Sequence, residues 1–233
     1  AVWQRKLLSE EKLSEQLDYW KEKLEGVEPI NLPLDKPRPP QQSYHGDSVS
    51  ITLDAELSGQ LRQLAKDHSV TMYMLMNAVF SILLYRYGGQ DDIVVGSPIA
   101  NRHYPGTENI IGFFVNTLVL RTTIDPKQSF IQLLENVKNN ALRGYQHQDI
   151  PFEYVVSELD IERVPSRHPL FQVMINVLEG DQNNNLDLNG LKIEPFGELS
   201  SMAKFDLTLT VTTSELVELS IEYATDLFEK VTI

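Results

Sequence analysis

There is no cysteine among the 233 residues. That absence excludes disulfides, thiol nucleophiles and thiolate metal sites together. It suits a reducing compartment, and a cytoplasmic location is the expectation. Histidine is scarce, with five in all. None stands at helical spacing from another, so the paired-histidine metal pattern is missing. No G-x-S-x-G elbow and no glycine-rich phosphate loop occurs. "GSPIAN", 96–101, has a serine after glycine but lacks the second glycine. Basic residues are few: 20 against 33 acidic ones, a net charge of −13. Such a surface repels phosphate backbones and anionic lipid, so neither nucleic acid nor a membrane surface is an expected partner. No apolar run is long enough to span a bilayer. The N-terminus lacks the basic-then-apolar signal pattern and an initiator methionine. Both ends read as cut, and a fragment of something longer is expected.

What is present is enough apolar residue, 42%, for one large domain or two small ones. Leu13, Leu17, Trp20 and Leu24 share a stripe and predict a helix over 10–24, capped by Ser9. The prolines of 29–46 predict an extended strap. Alternation predicts a half-buried strand over 47–53, and Asp54 caps a helix carrying Leu57, Leu61 and Leu64. Residues 71–87 are apolar on nearly every side, which predicts a buried helix. "DIVVGSPI", "FFVNTLVLRTTI" and "LFQVMINVL" read as strands, with a helix over 128–146 between the second and third. Residues 180–190 read as a polar loop, and two alternating strands close the chain as a hairpin. Strands and helices mix without strict β-α-β alternation. The expected fold is α/β: a two-layer sandwich with helices on one face of a mixed sheet. Residues 1–46 form the leading helix and strap, and 47–233 the main unit.

The densest chemistry is "YQHQDIPFEYV", 145–155. Its local reading needs no catalysis. Asp149 caps a helix that begins near Pro151, Glu153 meets the positive end of its dipole, and His147 ends the preceding helix. Asn116 and Asn176 are amides in apolar strands. Each is either hydrogen-bonded inside the core or turned toward a polar channel. Arg167 and His168 precede Pro169 and read as a loop anchored by charge-assisted hydrogen bonds.

Several segments, in order, carry a resemblance: "AVWQ", "QLDYWKEKLEG" with "INLPLDKPRP", "IGFFVNTLVLR", "HQDIPFE" and "PSRHPLFQVM". Over essentially the whole chain they resemble condensation domains of nonribosomal peptide synthetases. The resemblance implies a chloramphenicol-acetyltransferase-like lobe, with a mostly antiparallel sheet and helices on one face. It further implies that the chain is the C-terminal lobe of two, with the active site in a tunnel between them. The signature H-H-x-x-x-D-G lies upstream of A-V-W, so no catalytic residue falls within this chain. Asn116, Asn176, His147, Asp149 and Arg167 become candidates for the tunnel wall or the contact between lobes. One second-lobe loop crosses to the other lobe in this family, and the run "DQNNN", 181–185, gives any such contact here a polar character. The implied partners are the N-terminal lobe, peptidyl carrier proteins and a neighbouring adenylation domain, with self-association of the fragment as a further outcome. No cofactor is expected to bind directly, because the substrates ride on carrier phosphopantetheine. The alternative is a docking platform for a carrier protein or an adenylation domain.

Overall fold

The computed structural model describes residues 10–159, 161, 164–180 and 202–233. The cap expected at Ser9 and most of the polar loop expected at 180–190 lie outside the described residues. Helix α1 spans Glu10–Leu24, and Leu17, Trp20 and Leu24 are its buried stripe. Strand β1, Gly46–Thr52, is followed by helices α2, Ala55–Asp67, and α3, Met72–Gly88. Asp54 caps α2 through a 2.8 Å bond from the Leu57 N–H, and Thr71 caps α3 at Met74. Gly89, at φ 69°, ends α3 in the left-handed conformation that glycine adopts without strain. Strands β2, Asp92–Ile99, and β3, Asn116–Thr123, lead to α4, Phe130–Gln146. Ser129 and Gln132 close a reciprocal capping box at the start of α4. Then come α5, Phe152–Glu158, and strands β4, Val173–Glu179, β5, Leu207–Thr213, and β6, Val217–Ala224.

The six strands form one sheet in the order β1-β6-β5-β4-β2-β3. The pairs β1–β6, β6–β5 and β2–β3 are antiparallel, and β5–β4 and β4–β2 are parallel. The mixed, mostly antiparallel sheet is therefore as expected. Helices α2, α3 and α4 bury Ala65, Leu75, Phe80, Leu134 and Val137 against Ile93, Val95, Ile175 and Val211 on one face. That burial is the main source of stability, and α3 is indeed its central helix.

The other face is not bare. Val94 and Val119 point away from the main core and are covered by Trp20 of α1, Val155 and Val156 of α5, and Phe171. The Phe171 ring lies where a Cβ on Gly96 would sit, so only glycine fits there. The two-layer arrangement thus gains a small second core at the β2–β3 end. The strap is fastened to the body. Arg38 makes a bidentate pair with Asp206, Gln172 accepts the Ile30 N–H at 3.0 Å, and Lys36 Nζ reaches the Thr225 carbonyl at 2.8 Å.

One expected strand starts late. "FFVNTLVLRTTI" reads as extended throughout, but β3 begins only at Asn116. Its partner β2 ends at Ile99, opposite Asn116, so residues 113–115 have no neighbouring strand to pair with. They belong to a loop gathered around Arg102. The Arg102 guanidinium donates to the carbonyls of Thr107, Ile110 and Gly112 and stacks over the Phe114 ring at 4.1 Å.

Candidate functional site

The chemistry collects at one end of the sheet, where β2 finishes and β3 starts. Asn116 is the first residue of β3 and is only 9% exposed. Its amide nitrogen donates to the carbonyls of Gln148 (3.0 Å) and Ile150 (2.8 Å), and its oxygen accepts the Phe152 N–H at 3.0 Å. The side chain is fully used by this chain's own backbone. These bonds fit the hydrogen-bonded alternative read from the sequence: Asn116 splints the turn between α4 and α5.

Asp149 sits in that turn and does not cap α5. The cap position is Pro151, which makes no side-chain cap bond. The Asp149 carboxylate instead takes the Tyr104 hydroxyl (2.9 Å), Gln16 Nε2 (3.3 Å), Lys12 Nζ (3.2 Å) and His103 Nε2 (3.2 Å). Its side chain is 10% exposed. Burial alone would lower the Lys12 pKa, but the bonds to Asp149 and Tyr104 outweigh it and raise the value. Burial, together with the bond to Asp149, pushes the Tyr104 phenol up.

His147 ends α4, as expected. Its Nδ1 lies 2.8 Å from the Arg143 carbonyl, and its ring stacks on Tyr19 at 3.9 Å. Its carbonyl accepts the Trp20 indole N–H at 2.9 Å. These contacts join α4 to α1. Asn176 stands on the sheet face away from α3, half-buried, in register with Thr210 of β5, which pairs with Ser220 of β6, which pairs with Ser50 of β1. The row is polar throughout, and Ser50 and Ser220 share a 2.9 Å hydrogen bond.

Arg167 Nε is buried with no partner among the described residues. His168 lies in an aromatic nest of Phe152, Phe171 and Phe205. Burial there lowers its pKa despite a 2.7 Å approach of Nδ1 to the Pro169 carbonyl. The structure thus unites Asn116, His147 and Asp149 and leaves Asn176 and Arg167 apart from them. Lys12, Gln16, Arg102, His103 and Tyr104 escape sequence reasoning, because long-range pairing leaves no local pattern. Among the described residues no cluster of three or more histidine or acidic side chains is placed to hold a metal. No single described helix is long and apolar enough to cross a membrane.

The arrangement is a braced sheet end beside an exposed apolar loop, on which Ile111 and Phe113 are 102% and 93% exposed. The family model described as Condensation domain matches residues 1–233. Bacitracin synthase 3 of Bacillus licheniformis is 42% identical over all of this chain and 4% of its own length. Tyrocidine synthase 3 of Brevibacillus parabrevis is likewise 42% identical over all of this chain and 4% of its own. The chain therefore spans a small part of the curated relatives it matches. Among solved structures, a complex of the X-domain and OxyB from teicoplanin biosynthesis superposes with a TM-score of 0.88 at 28% identity, covering 99% of this chain and 53% of that one. A four-domain nonribosomal peptide synthetase bound to AMP and glycine gives 0.83 at 26%, covering 94% and 18%. The match of the family model along the full length, with the shared fold, leads to one assignment: this chain belongs to the condensation domain family.

Proposed function

We propose that this chain is the C-terminal half of a condensation domain that joins two carrier-bound thioesters by an amide bond. The observation that carries the reading is coverage: 99% of the chain superposes on 53% of the X-domain chain, as one half of a two-part fold would. The exposed Ile111 and Phe113 support it, because soluble proteins rarely leave large apolar side chains clustered in water without a partner. In this reading the loop around Arg102 faces the N-terminal lobe. Asn176 and its polar row line the tunnel, and peptidyl carrier proteins and an adenylation domain are the other partners. Phosphopantetheine reaches the tunnel as the arm of a carrier.

The reaction is attack of an acceptor amine on a donor thioester carbonyl. The C–N bond forms, the C–S bond breaks, the thiol leaves on the donor carrier, and the amine loses one proton. A general base must lie within hydrogen-bond reach of that amine, with a pKa near the working pH. Histidine suits this near neutrality, and the reading places it on the other lobe. The His147 ring stacks on Tyr19 with Nδ1 against the Arg143 carbonyl, contacts that join α4 to α1. The test is single-turnover dipeptide formation between loaded carrier proteins. The chain alone is expected to give background only, and the chain joined to its preceding half is expected to be active. His147→Ala in the joined domain is expected to cost less than replacing the upstream histidine. Product made by the chain alone and lost with His147→Ala would overturn the proposal.

A further inference from the structure

The carboxylate of Asp149 joins two elements that are remote along the chain. Helix α1 offers Lys12 and Gln16, one turn apart on the same side. The loop after β2 offers two consecutive residues, His103 and Tyr104. The carboxylate cannot drift to follow either of them. The backbone around it is held by Asn116 at Gln148, Ile150 and Phe152, and the Ile150 N–H donates to Gln16 Oε1 at 2.9 Å. Gln16 therefore grips both the carboxylate and the next residue's backbone.

From this fixed point the contacts run outward along the loop. The Tyr104 carbonyl accepts the Thr107 hydroxyl at 2.6 Å. Arg102, next to His103, gathers the carbonyls of Thr107, Ile110 and Gly112 and lies against Phe114. Those residues flank Ile111 and Phe113, the two most exposed apolar side chains of the loop. We propose that Asp149 is a positioning residue: it fixes where the loop presents Ile111 and Phe113, and through Lys12 and Gln16 it ties that presentation to helix α1. The proposal rests on the reading that this loop meets the other half of the domain.

Two measurements separate the proposal from that reading. The first is backbone hydrogen exchange on the chain itself, which needs no activity. Asp149→Ala removes all four partners' acceptor, and exchange over residues 102–114 is expected to quicken about tenfold or more while β4, β5 and β6 keep their rates. Tyr104→Phe removes only the hydroxyl, with its bonds to Asp149 and Lys12, and leaves the carboxylate in place, so it is expected to give a smaller rise in the same residues. Unchanged loop rates in both variants, or a rise spread equally over the sheet, would overturn the proposal. The second is amide formation by the joined domain, where Asp149→Ala is expected to slow turnover about tenfold and Asp149→Asn, which keeps one acceptor oxygen, by less. An active joined domain indifferent to Asp149→Ala would also overturn it. A wild-type joined domain that makes no amide would instead defeat the functional reading, and the exchange result would still judge Asp149.

Discussion

Asn116 shows how one amide replaces a piece of secondary structure. The carbonyls of Gln148 and Ile150 take bonds from a side chain on β3, across the turn between α4 and α5. Asn116 answers both, and the N–H of Phe152 as well. An unpaired buried polar group costs more than a made hydrogen bond contributes, so its removal should be expensive. Asn116→Ala is expected to destabilise the chain by about 2–3 kcal/mol, read as a lower urea midpoint with an unchanged slope. A loss below about 0.5 kcal/mol would mean that the turn holds without its splint. The need at Asn116 was legible in sequence, because an amide in an apolar strand demands partners. Their identity was not. Asp149 misled for the same reason: a carboxylate two residues before a helix fits a cap, while its actual partners lie as far off as Gln16 and Tyr104. Local rules see only what is within a turn or two.

At the level of elements, the strongly periodic segments fell where the pattern put them. Helix α1 carries its stripe into the second core, and the all-apolar α3 lies in the middle of the first. The error was at the start of "FFVNTLVLRTTI". Its apolar start read as a strand, yet Phe113, like Ile111 beside it, stands in water because no strand continues opposite. Apolar character reports that a side chain wants cover, without saying whether this chain supplies it. The contrast with "FQVMIN" is instructive, since Phe171, Val173 and Ile175 are covered by the chain itself. Any self-association should therefore depend on the loop and not on β4. The chain is expected to associate weakly at high concentration, and replacing both Ile111 and Phe113 by serine is expected to shift sedimentation toward the monomer. Equal sedimentation of the two proteins would show that the loop is not the sticky surface.

For the molecule as a whole, the sequence spoke for the sheet and its main core, while the second core stayed hidden because it is assembled from α1, α5 and the segment before β4. His168 sits in that assembly, and it links global stability to pH. Its surroundings are Phe152, Phe171 and Phe205, and burial holds its pKa below the ordinary 6.5. Above that value both the folded and the unfolded chain carry a neutral imidazole, and the group contributes nothing. As pH falls below it, the unfolded chain takes up a proton that the folded chain refuses, so stability declines until the lower folded pKa is reached. Glu222 works in the opposite sense: burial raises its pKa, so the folded chain binds that proton first and gains stability as pH falls through it. Asp35 is held low, chiefly by the Glu229 N–H, so its contribution is lost only in stronger acid. A comparison of variants isolates the histidine. His168→Phe keeps an aromatic ring in the nest and removes the titration. Between about pH 7 and pH 5, the urea midpoint of the wild type is expected to fall more steeply than that of His168→Phe. Parallel curves over that range would mean that the nest opens to water readily enough to let the imidazole charge in place.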